Sequence, residues 1–468
     1  MSEFGYKTDI ILNEQSIINW MPLPRIMILR DYQSKAIADV RATYASGKRS
    51  ICLVMPTGAG KTIVAVSIIL AALARGRRVL FLAHRKELID QTVDKLVTAG
   101  LDLQLLRVIR AQHGWGSPVA PVVVASVPTL AGASWDASKP PADLVILDEV
   151  HHVAAASFRR VVGCYPRAHF LGLTATPCRG DDRPLGDICD AIVLGPTVRQ
   201  LTEAGHLVPC RVWSPNRELA TGEIAQSPLD AYREQSNGGR TVIFCRDVAH
   251  AEGEAEIWGC PVVHGKTPDR GAILAAFARG EHQAIASVGV LTEGWDDPGC
   301  SVVILARSIG HVGLYLQICG RALRPAPGKT QATVIDLHGS HWNPAIGLPD
   351  ADRNWKLDGK GAPPLYREEI RQCRKCGSVF RAADRCPYCG HLAPTPQAAI
   401  PRVTGDDLEL ASAAPKAPPR IWYENIESKY PGRCSACMTW FPIGTPIVWA
   451  KGYARHQECP PKEIRDAS

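Results

Sequence analysis

The stretch SICLVMPTGAGKTIVAVSIILAA, residues 50–72, sets a short apolar run against a longer one across a turn holding two glycines, a lysine and two threonines. The first run suits a buried strand, and the segment after Lys61 suits a buried helix. At such a junction Gly58 and Gly60 let the backbone turn tightly and aim its N–H groups at an anion, where the helix dipole is positive. Lys61 is then placed to reach the β- and γ-phosphates of ATP, and Thr62 to ligate Mg2+. Thr57, Gly58, Ala59, Gly60, Lys61 and Thr62 therefore read as a phosphate-binding loop. Met55 stands where the strict pattern has glycine.

Outward from this loop, apolar runs recur at 50–54, 79–83, 122–125, 144–147 and 170–173, separated by helical patterns. A second series falls at 241–244, 261–263, 284–288, 302–305 and 333–336. Strands apolar on both faces suit parallel sheets covered by helices, so the fold class expected is α/β with two tandem doubly wound domains. The run DLVILDEVHH, residues 143–152, closes one such strand on a carboxylate pair. At a strand's carboxyl end beside the phosphate loop, Asp148 can hold Mg2+ and Glu149 can polarise the attacking water. His151 is expected to face the second domain, and His152 reads as a surface or capping residue.

The organisation expected is an irregular lead-in over 1–24, a nucleotide-binding domain over 25–208 and a second α/β domain over 209–340. A connector follows over 341–369, then a four-cysteine zinc ribbon over 370–392, a Pro/Ala-rich linker over 393–420 and a last small unit over 421–460. The segment before the strand at 241 leaves little room for an opening element of the second domain. With 468 residues, 46% hydrophobic and 21% charged, the composition is that of a multi-domain globular protein and excludes a disordered chain. The net charge of +7 favours a polyanionic partner. Charged residues interrupt any signal peptide, and the longest apolar stretch, 62–74, is too short to span a bilayer. The expected setting is the cytoplasm of a bacterium or phage-infected host, with no membrane partner.

Of 16 cysteines, seven cluster from Cys373 onward. Cys373, Cys376, Cys386 and Cys389 form two C-x-x-C knuckles, the spacing of a closed tetrahedral Zn2+ site. Arg371, Arg374, Lys375, Arg381 and Arg385 surround them, which suits nucleic-acid contact. Cys434, Cys437, His456 and Cys459 form a second candidate set, of three thiolates and one imidazole. Units this small fold largely on the metal's binding energy. Both therefore read as self-contained, and the larger domains are expected to survive their removal.

Taken in order, further segments resemble helicase superfamily 2, in its DEAH-like, repair-helicase and restriction-motor branch. LRDYQ at 29–33 resembles the adenine-reading segment, which implies Arg30 and Gln33 at the nucleotide. LAHRKEL at 82–88 resembles motif Ia and SVPTL at 126–130 motif Ib. TATP at 174–177 resembles motif III, TVIFCR at 241–246 motif IV, VLTEGWDDP at 290–298 motif V and QICGRALRP at 317–325 motif VI. The resemblance runs from about 29 to 339, and GLPD at 347–350 is similar to the tail of phage-encoded members. It implies two RecA-like domains with ATP between them. Gly294, Asp296 and Gln317 would join the nucleotide site, with Arg321 and Arg324 as arginine fingers. His84, Arg85, Ser126, Thr129, Arg246 and Thr292 would hold nucleic acid. His151, Thr174 and Thr176 would couple the two sites.

The function expected is an ATP-dependent helicase or translocase, with DNA favoured over RNA as single strand, fork or branched duplex, and a protein partner open to the zinc modules. Alternatives are an RNA helicase, the motor subunit of a restriction complex, or a nucleic-acid-binding scaffold with an inactive ATPase fold. Asp350 with Asp358 and Lys360 has the spacing of a nuclease motif, without a strand pattern around it.

Overall fold

The computed structural model describes residues 28–110, 114–130, 139–152, 160, 163–178, 183–215, 227–358, 362–365, 369–392 and parts of 423–458. The chain divides into two compact units between Thr395 and Pro396.

The larger unit contains two eight-stranded sheets. The first comprises β1 (Ser50–Val54), β2 (Val79–Ala83), β3 (Leu106–Ile109), β4 (Trp115–Gly116), β5 (Val122–Ser126), β6 (Leu144–Asp148), β7 (His169–Thr174) and β8 (Ala191–Leu194). Their order is β4-β3-β5-β2-β6-β7-β1-β8, all parallel except β4. The strands β1, β2 and β6 are buried along their whole length, as apolar runs in a parallel sheet must be. Helices Asp31–Ala45, Lys61–Leu73 and Lys86–Thr98 supply residues such as Ile37, Ile69 and Ile89 to the same core.

The second sheet comprises β9 (Cys210–Trp213), β10 (Thr241–Cys245), β11 (Val262–Val263), β12 (Ala284–Ser287), β13 (Val302–Ala306), β14 (Ala332–Asp336), β15 (Ile370–Gln372) and β16 (Ser378–Arg381). It runs β11-β12-β10-β13-β14-β9-β16-β15. The short segment before β10 does hold an opening element: β9 pairs parallel with β14, and helix Pro228–Gln235 follows.

One expectation about the tail changes. The Cys-rich segment is not a separate finger, because β16 adds antiparallel to β9, with Ser378 opposite Trp213 and Val379 opposite Val212. Gly377 makes this approach possible, since a Cβ there would collide with the Trp213 indole nitrogen. The connector packs on the first domain. Trp355 and Leu357 pack against the first domain's apolar cluster, and the Leu357 carbonyl accepts the Gly186 N–H at 2.8 Å. Buried Arg353 donates to the carbonyls of Ala345, Ile346 and Ala362. Arg381 grips Asp350 through two hydrogen bonds of 2.9 and 2.8 Å. Asp350 is thus bound up in an ion pair outside any strand, and Lys360 lies outside the described residues.

In the smaller unit, Tyr423–Glu427, Pro446–Ala450 and Tyr453–His456 form a three-stranded antiparallel sheet, and Gly432–Arg433 pairs with Trp440–Phe441.

Candidate active site

The turn between β1 and helix Lys61–Leu73 holds Gly58 and Gly60 at φ +86° and +80°, the left-handed region that glycine enters without cost. A Cβ on Gly60 would stand 2.5 Å from Gln33 Nε2. The Gln33 amide is occupied at both ends: its Oε1 accepts the Arg30 N–H and its Nε2 donates to the Ala59 carbonyl. It therefore ties helix Asp31–Ala45 to the phosphate loop. From the other domain, helix Val312–Ala322 approaches so closely that a Cβ on Gly320 would meet Thr57 at 2.6 Å.

A cleft of about 340 Å³ opens between the two sheets. Arg30, Thr57, Gly58, Gly60, Lys61, Thr62, Asp148 and Glu149 line it from the first domain, and Gly294, Asp296, Arg321 and Arg324 from the second. Burial pulls the Lys61 ammonium below its ordinary range, against the opposing pull of Glu149 and Asp148. Burial and the adjacent Glu149 push the Asp148 carboxyl up to about 7. Glu149 sits at φ +48°, strained for a residue with a side chain, and its buried Oε2 has no hydrogen-bond partner among the described residues. Two buried carboxylates lining the same cleft as the phosphate loop fit a divalent cation, and Glu149 Oε2 lies 3.5 Å from His151 Nδ1.

The two arginines differ. Arg321 is buried and donates to the carbonyls of Thr292 (3.1 and 2.7 Å) and Trp295 (2.5 Å), so it braces the 290–298 loop. Arg324 pairs with Asp296, a half-exposed partner that can release it. His151 bridges the domains, with Nδ1 2.8 Å from Thr174 Oγ1 and Nε2 3.1 Å from Gln317 Nε2. Thr174 Oγ1 in turn accepts the Thr176 N–H and donates to the Thr176 carbonyl.

The residues read as nucleic-acid contacts lie at carboxyl ends of strands. His84 and Arg85 follow β2, while Ser126 ends β5 opposite Ala83, with Thr129 just beyond. In the second domain Arg246 follows β10 and is exposed, whereas Thr292 is buried. Arg85 is already engaged, donating to the Val290 carbonyl at 3.0 Å.

Sequence reasoning missed Gln91, Lys95, His206 and Trp295, which also line the cleft. Gln91 and Lys95 follow Leu88 at helical spacing, and polar residues on such an apolar stripe were the available signal. It also missed that His152 pairs with Glu293 of the other domain.

Residues 26–179 match the family described as type III restriction enzyme, res subunit, and residues 224–326 match the helicase conserved C-terminal domain. A 51.5 kDa protein of a Lactococcus phage is 30% identical over 372 residues, covering 72% of this chain and 76% of that one. The chain belongs to helicase superfamily 2. Members of superfamily 2 are nucleic-acid-dependent ATPases that use ATP with Mg2+. Two further relatives are each 25% identical. One is a Saccharomyces cerevisiae protein named as the ATP-dependent helicase IRC3, aligned over 69% of this chain and 53% of its own length. The other is the DNA 3'-5' translocase XPB2 of Sulfurisphaera tokodaii, aligned over 66% and 82%. Among the described residues, no helix is long and apolar enough to cross a membrane.

Outside the cleft, the sulfurs of Cys373, Cys376, Cys386 and Cys389 all lie within 4.8 Å of one another. Cys373 stands 3.5 Å from Cys389 and Cys376 3.7 Å from Cys386. A tetrahedron with Zn–S bonds of about 2.3 Å has edges of about 3.8 Å, so the cluster fits zinc. Burial raises the Cys376 thiol, but hydrogen bonds from Ser378 outweigh this and bring it down to about 6, whereas burial pushes the Cys386 thiol up to about 12. In the smaller unit Cys434 is buried and His456 ends a strand, while Cys437 and Cys459 lie outside the described residues.

Proposed function

We propose that this superfamily 2 protein is an ATP-driven motor that moves along or unwinds DNA, single-stranded, forked or branched. The observation that carries this is the shared cleft: Lys61, Asp148 and Glu149 on one wall face Arg321 and Arg324 on the other. With ATP and Mg2+ in the cleft, Lys61 and Thr62 bind the phosphates and the metal, and Glu149 orients water. Arg324, released from Asp296, meets the developing charge. Hydrolysis removes the anion that draws the domains together, so closure and opening follow turnover. His151, placed between Thr174 and Gln317, carries that change toward the strand ends that bear His84, Arg85, Ser126, Thr129 and Arg246.

DNA is favoured because one relative is named a DNA translocase and because the matched family is that of restriction motors. Backbone contacts from strand-end loops imply little sequence preference. The four ribbon cysteines hold Zn2+, and Cys434, Cys437, His456 and Cys459 a second ion, giving two zinc per chain. A motor subunit of a restriction complex is the second reading, favoured by the same family match. The Asp350, Asp358 and Lys360 set does not support that reading, because Asp350 is paired with Arg381. ATP turnover titrated against single-stranded, duplex and forked DNA and against RNA tests the proposal. Strongest stimulation by DNA is expected, and equal or greater stimulation by RNA overturns the DNA reading.

A further inference from the structure

Glu293 lies in the 290–298 loop of the second domain, yet its side chain is only 6% exposed. Among the described residues, the groups that neutralise it belong to the first domain. His152 donates from Nε2 to its Oε1. Arg85 Nε lies 3.6 Å from Oε2, and His151 Nε2 lies 3.9 Å from Oε1. Burial pushes the Glu293 carboxyl up, but the adjacent His151 and His152 imidazoles outweigh this and hold it well below the ordinary carboxylate range. A carboxylate kept ionised in a buried place depends on these partners, and losing them is costly.

The loop around it is held from both sides by the first domain's helix Lys86–Thr98 and the residue before it. Arg85 donates to the Val290 carbonyl at 3.0 Å and Gln91 to the Gly294 carbonyl at 2.7 Å. Gly294, at φ +69°, lies so near that a Cβ would come within 3.5 Å of Glu87 and Leu88. The same loop supplies the Thr292 and Trp295 carbonyls that brace Arg321. Glu293 thus stands between a residue read as a nucleic-acid contact, Arg85, and the loop that positions an arginine at the phosphate site.

We propose that Glu293 is a positioning residue for ATP hydrolysis, through which Arg85 and His152 of the first domain fix the loop that holds Arg321 in the cleft. A nucleic-acid phosphate at Arg85 competes with Glu293 for the guanidinium, and the resulting shift of the loop moves Arg321. Binding at the strand ends is thereby reported to the nucleotide. This rests on the reading of the chain as a nucleic-acid-stimulated ATPase.

The test uses the full chain, with ATP turnover measured with and without oligo(dT). E293Q keeps the size and removes the charge. It is expected to lower stimulated kcat at least about tenfold while KM for ATP moves less than about threefold. H152A should lower it too, and the E293Q/H152A double variant should be no worse than the more damaged single, because both act through one contact. E293D, which keeps the charge, should recover part of the loss. Unchanged stimulation in E293Q overturns the proposal. So do losses that multiply in the double variant, or a matched rise in KM with a lowered melting temperature, which marks a merely structural contact. A wild-type protein that oligo(dT) does not stimulate, and that no RNA stimulates, overturns the functional reading instead.

Discussion

The first motor sheet ends at β4, a two-residue strand from its own domain, whereas the second ends at β16 and β15, strands borrowed from the Cys-rich segment. An open edge strand invites mispairing, and covering it is a common remedy. In the first domain the cover is local. In the second it depends on a hairpin that carries the four clustered cysteines. Arg211 of β9 donates to Ser378 Oγ and lies over the Tyr388 ring, while Tyr388 Oη donates to the Cys210 carbonyl. Both knuckles therefore touch β9. Immediately before β9, the Val208 N–H donates to the Leu323 carbonyl, and Leu207 abuts Gly58 of the phosphate loop. The cysteine ribbon thus covers a strand whose lead-in touches both walls of the cleft. One domain carries its chemistry on a self-contained sheet, and the other depends on its tail.

The sharpest contrast is between chemistry and scaffold. Lys61→Ala removes the only lysine at the phosphate loop and should lower stimulated turnover by about a thousandfold or more, with the melting temperature little changed. Steady-state ATPase and calorimetry on the same sample check this. Near wild-type turnover would place hydrolysis elsewhere and dissolve the division of labour.

The tail dependence is tested by two truncations. A chain ending after residue 392 keeps the ribbon and should retain ATP hydrolysis. A chain ending after Gly339 loses β15, β16 and the connector, leaving β9 open and Trp213 exposed, and should lose most turnover. Replacing Cys373 and Cys376 with serine should act in the same direction and lower the second domain's melting temperature by on the order of 10 °C, since several kcal/mol of metal-derived stability go with them. Metal content before and after separates loss of zinc from loss of fold. Full activity in the shorter truncation would make the two sheets equivalent after all.

The strands legible in the sequence are those buried on both faces, such as β1, β6, β10 and β13, because an apolar run reports its own environment. The missed strands owe their place to distant partners. β9 reads CRVW, interrupted by Arg211, and becomes a central strand only when Ser378 and Val379 arrive beside it. β8 reads AIVL, an apolar run like the others, yet it is half-exposed along most of its length. The site divides in the same way. The phosphate loop is local chemistry written in consecutive residues, so Lys61 and Thr62 could be read directly. His152 and Glu293 are 141 residues apart and meet only when the domains do. Gln33 was expected at the nucleotide, but its bonds to Arg30 and Ala59 were not legible.

Within the borrowed edge, Trp213→Ala should cost about 3 kcal/mol, the usual loss for truncating a buried aromatic residue. Hydrogen exchange should rise across 208–213 and leave β1 protected. Exchange rising equally in both sheets would mean that the first also leans on this edge.

The smallest effect concerns the Arg381–Asp350 pair, which links the ribbon to the connector. Its side chains are 35% and 29% exposed, so water and salt screen much of the attraction. Two parallel hydrogen bonds place it above an ordinary surface pair, at about 1 kcal/mol. Arg381→Ala and Asp350→Ala should each lower stability by about that amount, and the double variant should cost little more than either alone. Denaturant melts of the three variants give the coupling directly. A coupling above about 2 kcal/mol would shift the anchoring of the ribbon from the sheet edge to the connector. A value near zero would leave β9 and the cysteine cluster as what holds the second sheet closed.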